Sequence, residues 1–88
     1  MTEGNCFLCK RWRPLERHHI FGASNRKKSE KYGLTVDLCA ECHRTGKKAA
    51  HKNFETMQYL HEYGQQLAME KHNLSAEEFR SIFGMNYI

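Results

Sequence analysis

Four cysteines stand as Cys6-x-x-Cys9 and Cys39-x-x-Cys42, two tight pairs with 29 residues between them. Thiolates from two such turns can surround one zinc ion tetrahedrally, and in a short chain that binding free energy becomes folding free energy. Two disulfides or a redox pair are the competing readings. The opening Met1-Thr2-Glu3-Gly4-Asn5-Cys6 has no basic segment followed by an apolar run, so nothing in it directs the thiols to an oxidising compartment. A structural zinc on Cys6, Cys9, Cys39 and Cys42 is the expectation.

Histidines supply the second chemistry. His18 and His19 are adjacent just before Phe21-Gly22, and His43 follows Cys42 directly. A neutral imidazole takes a proton from water or ligates a divalent cation, so neighbours can divide those roles. An isolated histidine pair is ordinarily a surface feature; the cysteine knuckles beside this one change its standing.

These residues need elements to position them, and the chain has little core to build them with. In 88 residues, Leu, Ile, Val and Phe number 16, a composition that leans toward disorder unless something else holds the fold. Charge is uneven. Up to Lys52 there are 12 Lys and Arg against 5 Asp and Glu, while beyond it there are 2 against 5. The basic part carries the cysteines and paired histidines, which suits a polyanionic partner, although a four-thiolate zinc site offsets part of the excess. No apolar run is long enough to span a membrane.

Residues 5 to 13 read as a first knuckle with a basic exit, in which Trp12 is a core or lid residue or a base-stacking one, the core reading being favoured. Pro14 punctuates, and residues 15 to 21 read as a short extended segment. Side chains of a regular strand alternate faces, so His18 and His19 reach one site only if the backbone bends or the site lies across the strand end. Residues 23 to 33 read as a basic loop or short helical turn. Residues 34 to 38 alternate as a half-buried strand into the second knuckle, forming a long-looped hairpin with the first. Phe54, Met57, Leu60, Gly64 and Leu67 recur at helical spacing, predicting a helix from about 49 to 71 with an apolar stripe. Ser75-x-x-Glu78 is a capping box opening a last short helix that ends at Gly84. His61 and His72 are expected on the surface.

In order the chain gives Cys-x-x-Cys, a strand ending in His-His-Ile, a polar loop, a strand, Cys-x-x-Cys-His and a helix. Over residues 6 to 51 this resembles the HNH endonuclease family, specifically its small zinc-stapled, phage-type members. The resemblance implies an α+β fold: one domain over 1–88, with a ββα-metal core at 6–52 stapled by the four-cysteine zinc and a helical extension at 53–88. It implies a metal-dependent endonuclease that hydrolyses DNA to 5′-phosphate and 3′-hydroxyl ends. His19 falls on the general base, His18 and His43 on ligands of a catalytic divalent cation, magnesium or manganese. Cytoplasmic location in a bacterial or phage-infected cell and a larger phage or recombination assembly follow from the same relatives, while double-strand cleavage by one small site would require two copies, as in a homodimer, or two encounters.

Two positions depart from the family pattern. Its helical ligands often lie four residues apart, whereas His43 and His51 are eight apart, about 12 Å along an unbroken helix. Either Gly46 opens a loop that returns His51 to the cation, the favoured reading, or His51 only contacts phosphate. The motif's middle Asn has no counterpart near the second knuckle; Asn25 either orients His19 and the loop or is a turn residue. Arg26, Lys27, Lys28, Arg44, Lys47 and Lys48 are expected to contact backbone phosphates. A zinc-stabilised nucleic-acid-binding module without catalysis is the alternative, and a zinc-organised protein-interaction module is a third reading.

Overall fold

A computed structural model describes residues 2–88. The chain is α+β, with a three-stranded antiparallel sheet in the order β1-β2-β3. Its strands are β1 (Thr2–Asn5), β2 (Trp12–His19) and β3 (Thr35–Cys39), and its helices are α1 (Arg26–Tyr32), α2 (Phe54–Lys71) and α3 (Ala76–Phe83). Among the described residues no helix is long and apolar enough to cross a membrane. The fold divides into two units that interleave along the chain: the described residues up to His18 with Val36–Met57, and His19–Thr35 with Gln58–Ile88. The boundary expected at 52/53 falls inside the first.

In the first unit, β1 pairs antiparallel with the start of β2, Thr2 opposite Leu15 and Asn5 opposite Trp12. That strand carries no apolar alternation, so only its partner reveals it. Pro14 does not punctuate; it lies within β2, opposite Glu3. The turn between the strands closes by Cys6 N–H to Arg11 O at 3.0 Å and Lys10 N–H to Cys6 O at 2.9 Å. Lys10 takes a left-handed conformation there (φ 67°), and Asn5 Nδ2 donates to its carbonyl. Phe7 N–H to Asp37 O, 2.9 Å, ties this turn to β3. Cys6, Val36, Leu38, Cys39, Ala49 and Ala50 are buried. Trp12 is 67% exposed, contrary to the core placement expected for it: it precedes the buried part of β2 and projects into solvent.

After β3 the chain makes one wide helical turn (Glu41–Thr45) and then a loop, rather than the helix expected from residue 49. Ala50 N–H to Cys42 O and His51 N–H to His43 O fold the loop back on the turn. Gly46 makes this possible, because a Cβ there would lie 2.7 Å from the Glu41 carbonyl oxygen. Helix α2 starts only at Phe54, where the Asn53 side chain accepts from Thr56 N–H at 2.9 Å in the manner of an N-cap. Phe54, counted in the apolar stripe from sequence, is 81% exposed.

The second unit is built around Phe21, whose ring contacts His61, Phe79, Phe83 and Tyr87. Gly64 on α2 lets the helix backbone approach; a Cβ there would meet Ile20 Cγ2 at 2.5 Å and the Phe21 ring at 3.0 Å. Ser29 is fully buried, and its hydroxyl donates to Phe21 O (2.7 Å) and accepts from Phe21 N–H (2.9 Å), clamping α1 to the segment after β2. The predicted capping box is present in full at Ser75 and Glu78. His61 and His72 are half-buried rather than freely exposed. His61 stacks on Phe21, and His72 Nε2 bonds the Tyr32 carbonyl at 2.9 Å.

Candidate metal centre

The first unit holds two groups of ligand atoms. Cys6, Cys9, Cys39 and Cys42 form one, their sulfurs all within 4.8 Å of one another. Cys9 Sγ and Cys39 Sγ are 3.8 Å apart, and the edge of a tetrahedron with zinc–sulfur bonds of about 2.3 Å is about 3.8 Å. No disulfide joins them. Burial opposes ionisation at Cys6, but N–H groups of Cys39, Cys9 and Leu8 directed at its sulfur outweigh it and bring the thiol to about 6. At Cys42, burial and the neighbouring sulfurs push the thiol up. Four thiolates at this spacing need a cation among them. Arg13 Nη1 lies 3.9 Å from Cys39 Sγ and 3.6 Å from Glu41, and Arg11 pairs with Glu41 at 3.3 Å. The cysteines are positioned to bind a metal ion, as a structural zinc requires.

The second group is His18, His43 and His51, with one ring nitrogen from each again within 4.8 Å of the others. His18 comes from the end of β2 and is 2% exposed. Its ring centroid lies 5.1 Å from that of His43 and 5.3 Å from that of His51. His43 Nε2 and His51 Nε2 are 3.1 Å apart, close to the edge of about 3.3 Å expected between two nitrogens bound to one cation at about 2.0–2.1 Å. The loop at Gly46, not a helical repeat, returns His51 to His43. Burial, then the charges of His43 and Arg44, lower the His51 pKa and favour the neutral ring that can coordinate.

Glu16 was not singled out from sequence. Its carboxylate accepts from His43 Nδ1 at 2.8 Å and from Arg44 through two bonds, Nε to Oε1 at 2.9 Å and Nη2 to Oε2. The Arg44 guanidinium, and then His43, hold the Glu16 carboxyl at about 2. The signal was present: Glu16 and His18 are two apart on a strand and share a face. Arg44, expected to contact phosphate, is thus paired within the chain, while Lys47 and Lys48 are exposed in the same unit.

His19 belongs to the second unit. Its Nε2 bonds Glu30 Oε2 at 2.7 Å, with the His19 side chain 16% exposed. Glu30 also escaped the sequence reading, and it takes the orienting place considered for Asn25. Asn25 instead donates from Nδ2 to Phe83 O at 2.9 Å and secures its turn to the end of α3. Arg26, Lys27 and Lys28 are exposed on α1, although Lys28 Nζ also reaches Ile82 O at 2.6 Å.

Comparison of the chain with protein-family models, curated proteins and solved structures finds no match.

Proposed function

We propose that the chain is a metal-dependent DNA endonuclease of the HNH type, with a structural zinc on the four cysteines and a catalytic divalent cation on His18, His43 and His51. The observation that carries this reading is the convergence of three imidazoles from a strand end, a turn and a returning loop. A module that only binds nucleic acid has no need of it. Two strands of one sheet, β2 and β3 with α1 between them, also precede α2, an order compatible with a ββα-metal motif.

A divalent cation held there supplies charge neutralisation to the scissile phosphate and the departing 3′ oxygen. The chain supplies the rest. His19, next in sequence to the ligand His18, is the proposed base: Glu30 holds one ring nitrogen, leaving the other to take a proton from the attacking water. Exposed Lys47 and Lys48 are proposed to hold the phosphate backbone, a contact that positions DNA without reading its sequence.

The test is conversion of supercoiled plasmid to nicked or linear product with added Mn²⁺ or Mg²⁺, after chelation mild enough to leave zinc bound. His19→Ala is expected to lower the rate by about 100- to 10,000-fold while the protein stays folded. A wild-type rate in that variant removes the base. The non-catalytic nucleic-acid-binding alternative is favoured by one observation, the exposed Trp12 beside Arg11 and Arg13, a surface on which an unpaired base can stack. It predicts DNA binding that is sensitive to Trp12→Ala, with no cleavage under any metal.

A further inference from the structure

We propose that Glu16 is a positioning residue of the three-histidine site: its carboxylate accepts a hydrogen bond from His43 Nδ1–H, keeping the ring proton there, and so presents the Nε2 lone pair to a divalent cation. The inference rests on reading His18, His43 and His51 as a cation site and does not depend on DNA cleavage.

An imidazole can bind a metal only through a nitrogen that lacks a proton, and a neutral ring carries its proton on either nitrogen. What decides is the partner of the other nitrogen. An ionised carboxylate is an acceptor only, so Glu16 Oε1, 2.8 Å from His43 Nδ1, requires the proton to sit there. His43 Nε2 then keeps its lone pair on the side where His51 Nε2 lies 3.1 Å away. Glu16 is not itself a ligand of that cation, because it sits on the opposite nitrogen of the ring.

Arg44 completes the device. Its guanidinium takes both carboxylate oxygens of Glu16 in a fork, which fixes the plane of the carboxylate and with it the plane of the His43 ring. As a plain ion pair this contact contributes little to stability, since the side chains are 58% and 31% exposed. Its consequence lies in the orientation of the ligand, in the way a carboxylate behind a metal-bound histidine raises basicity and selects the tautomer. Arg44 follows His43 in sequence, and Glu16 shares a strand face with His18, so two adjacent turn residues and two alternate strand residues build the arrangement onto which His51 closes.

The experiment uses the full chain with its cysteine site filled by one equivalent of zinc, titrated with Co²⁺ alone and followed by calorimetry. Wild type is expected to bind one Co²⁺ that His43→Ala loses, and Glu16→Ala to bind it about 10- to 100-fold more weakly. Glu16→Gln, of the same size, is read in its place if Glu16→Ala loses zinc. A second measurement is independent of metal: ¹⁵N spectra of the histidine rings are expected to show His43 protonated on Nδ1 in the wild type and redistributed toward Nε2 in the Glu16 variants. Wild-type Co²⁺ affinity with an unchanged His43 tautomer in those variants overturns the role of Glu16 and leaves the cation site standing. Absence of Co²⁺ binding to wild type, or binding that survives His43→Ala, overturns the cation site and the role of Glu16 with it.

Discussion

Removing zinc from the four-cysteine cluster is expected to unfold the first unit, and the size of the effect can be worked from the sulfur spacing. Two thiolates 3.8 Å apart repel by about 4 kcal/mol at an effective dielectric of about 20, and four sulfurs make several such pairs. Without a cation the cluster must take up protons or open. A structural zinc contributes about 10–16 kcal/mol at pH 7, whereas an 88-residue chain has about 4–13 kcal/mol of total stability. The first quantity matches or exceeds the second, so little of the unit is expected to survive chelation. Native-state hydrogen exchange before and after a strong chelator reads this directly. The amides of Cys6, Phe7 and Ala50, bonded to Arg11 O, Asp37 O and Cys42 O, should lose protection together as the thiols become alkylatable. Full protection of those amides in metal-free protein, with all four thiols reduced, would refute the argument.

Gly64→Ala sets two effects against each other. Helix propensity favours alanine by about 1 kcal/mol, but the new Cβ meets fully buried Ile20 at 2.5 Å, and overpacking costs about 1–3 kcal/mol, so denaturant melts should show net destabilisation of up to about 2 kcal/mol. Ser29→Ala leaves the Phe21 N–H and carbonyl without their buried partner and is expected to lose about 1–3 kcal/mol by the same measurement. Burial lowers the His61 pKa in the folded state; the unfolded chain then binds the proton first, so stability is full above about pH 6.5 and falls as pH drops through the folded value. Replacing His61 with Asn should flatten that part of the stability-versus-pH curve, and an unchanged curve would contradict the assignment. Three imidazole donors suit manganese or a later transition ion better than magnesium, which prefers oxygen, so the histidine site should bind Mn²⁺ more tightly than Mg²⁺ by calorimetry on zinc-loaded protein.

Local chemistry was legible where it is written in adjacent residues. The two Cys-x-x-Cys pairs specify turns whose sulfurs converge, and Ser75 with Glu78 specifies a helix start, because each signal is complete within four positions. The misreadings come from residues whose environment is set far along the chain. Ala49 and Ala50 look like the first turn of an apolar helical stripe, yet their burial arises from a loop folding onto Cys42 and His43, and the helix waits for the Asn53 cap. β1 was invisible because Thr2-Glu3-Gly4-Asn5 has no period of its own and acquires its state by pairing with β2. His61 looked like a surface residue of an acidic helix, but the aromatic wall formed by Phe21 and Tyr87 shelters it. A lone carboxylate in a basic stretch, as Glu16 and Glu30 both are, reads as charge balance until its histidine partner is located.

The arrangement of the first unit also explains why a chain with so little core sets a four-cysteine cluster, positioned to bind a metal ion, next to three converging histidines. Cys42 and His43 are consecutive, yet Cys42 belongs to the sulfur cluster and His43 to the imidazole cluster. A wide helical turn over Glu41–Thr45 separates the two side chains, and the loop after Gly46 returns to bond the carbonyls of both residues. Fixing the sulfur of Cys42 therefore fixes the backbone from which His43 departs and onto which His51 closes. A hydrophobic core would need many more residues to hold three imidazoles in register, whereas one cation on the four cysteines would do it through a single peptide link. A metal on the cysteines would thus serve the geometry of the neighbouring histidines as much as the stability of the unit. Loss of a metal from the cysteines is therefore expected to disorder the histidines, although none of them belongs to the sulfur cluster.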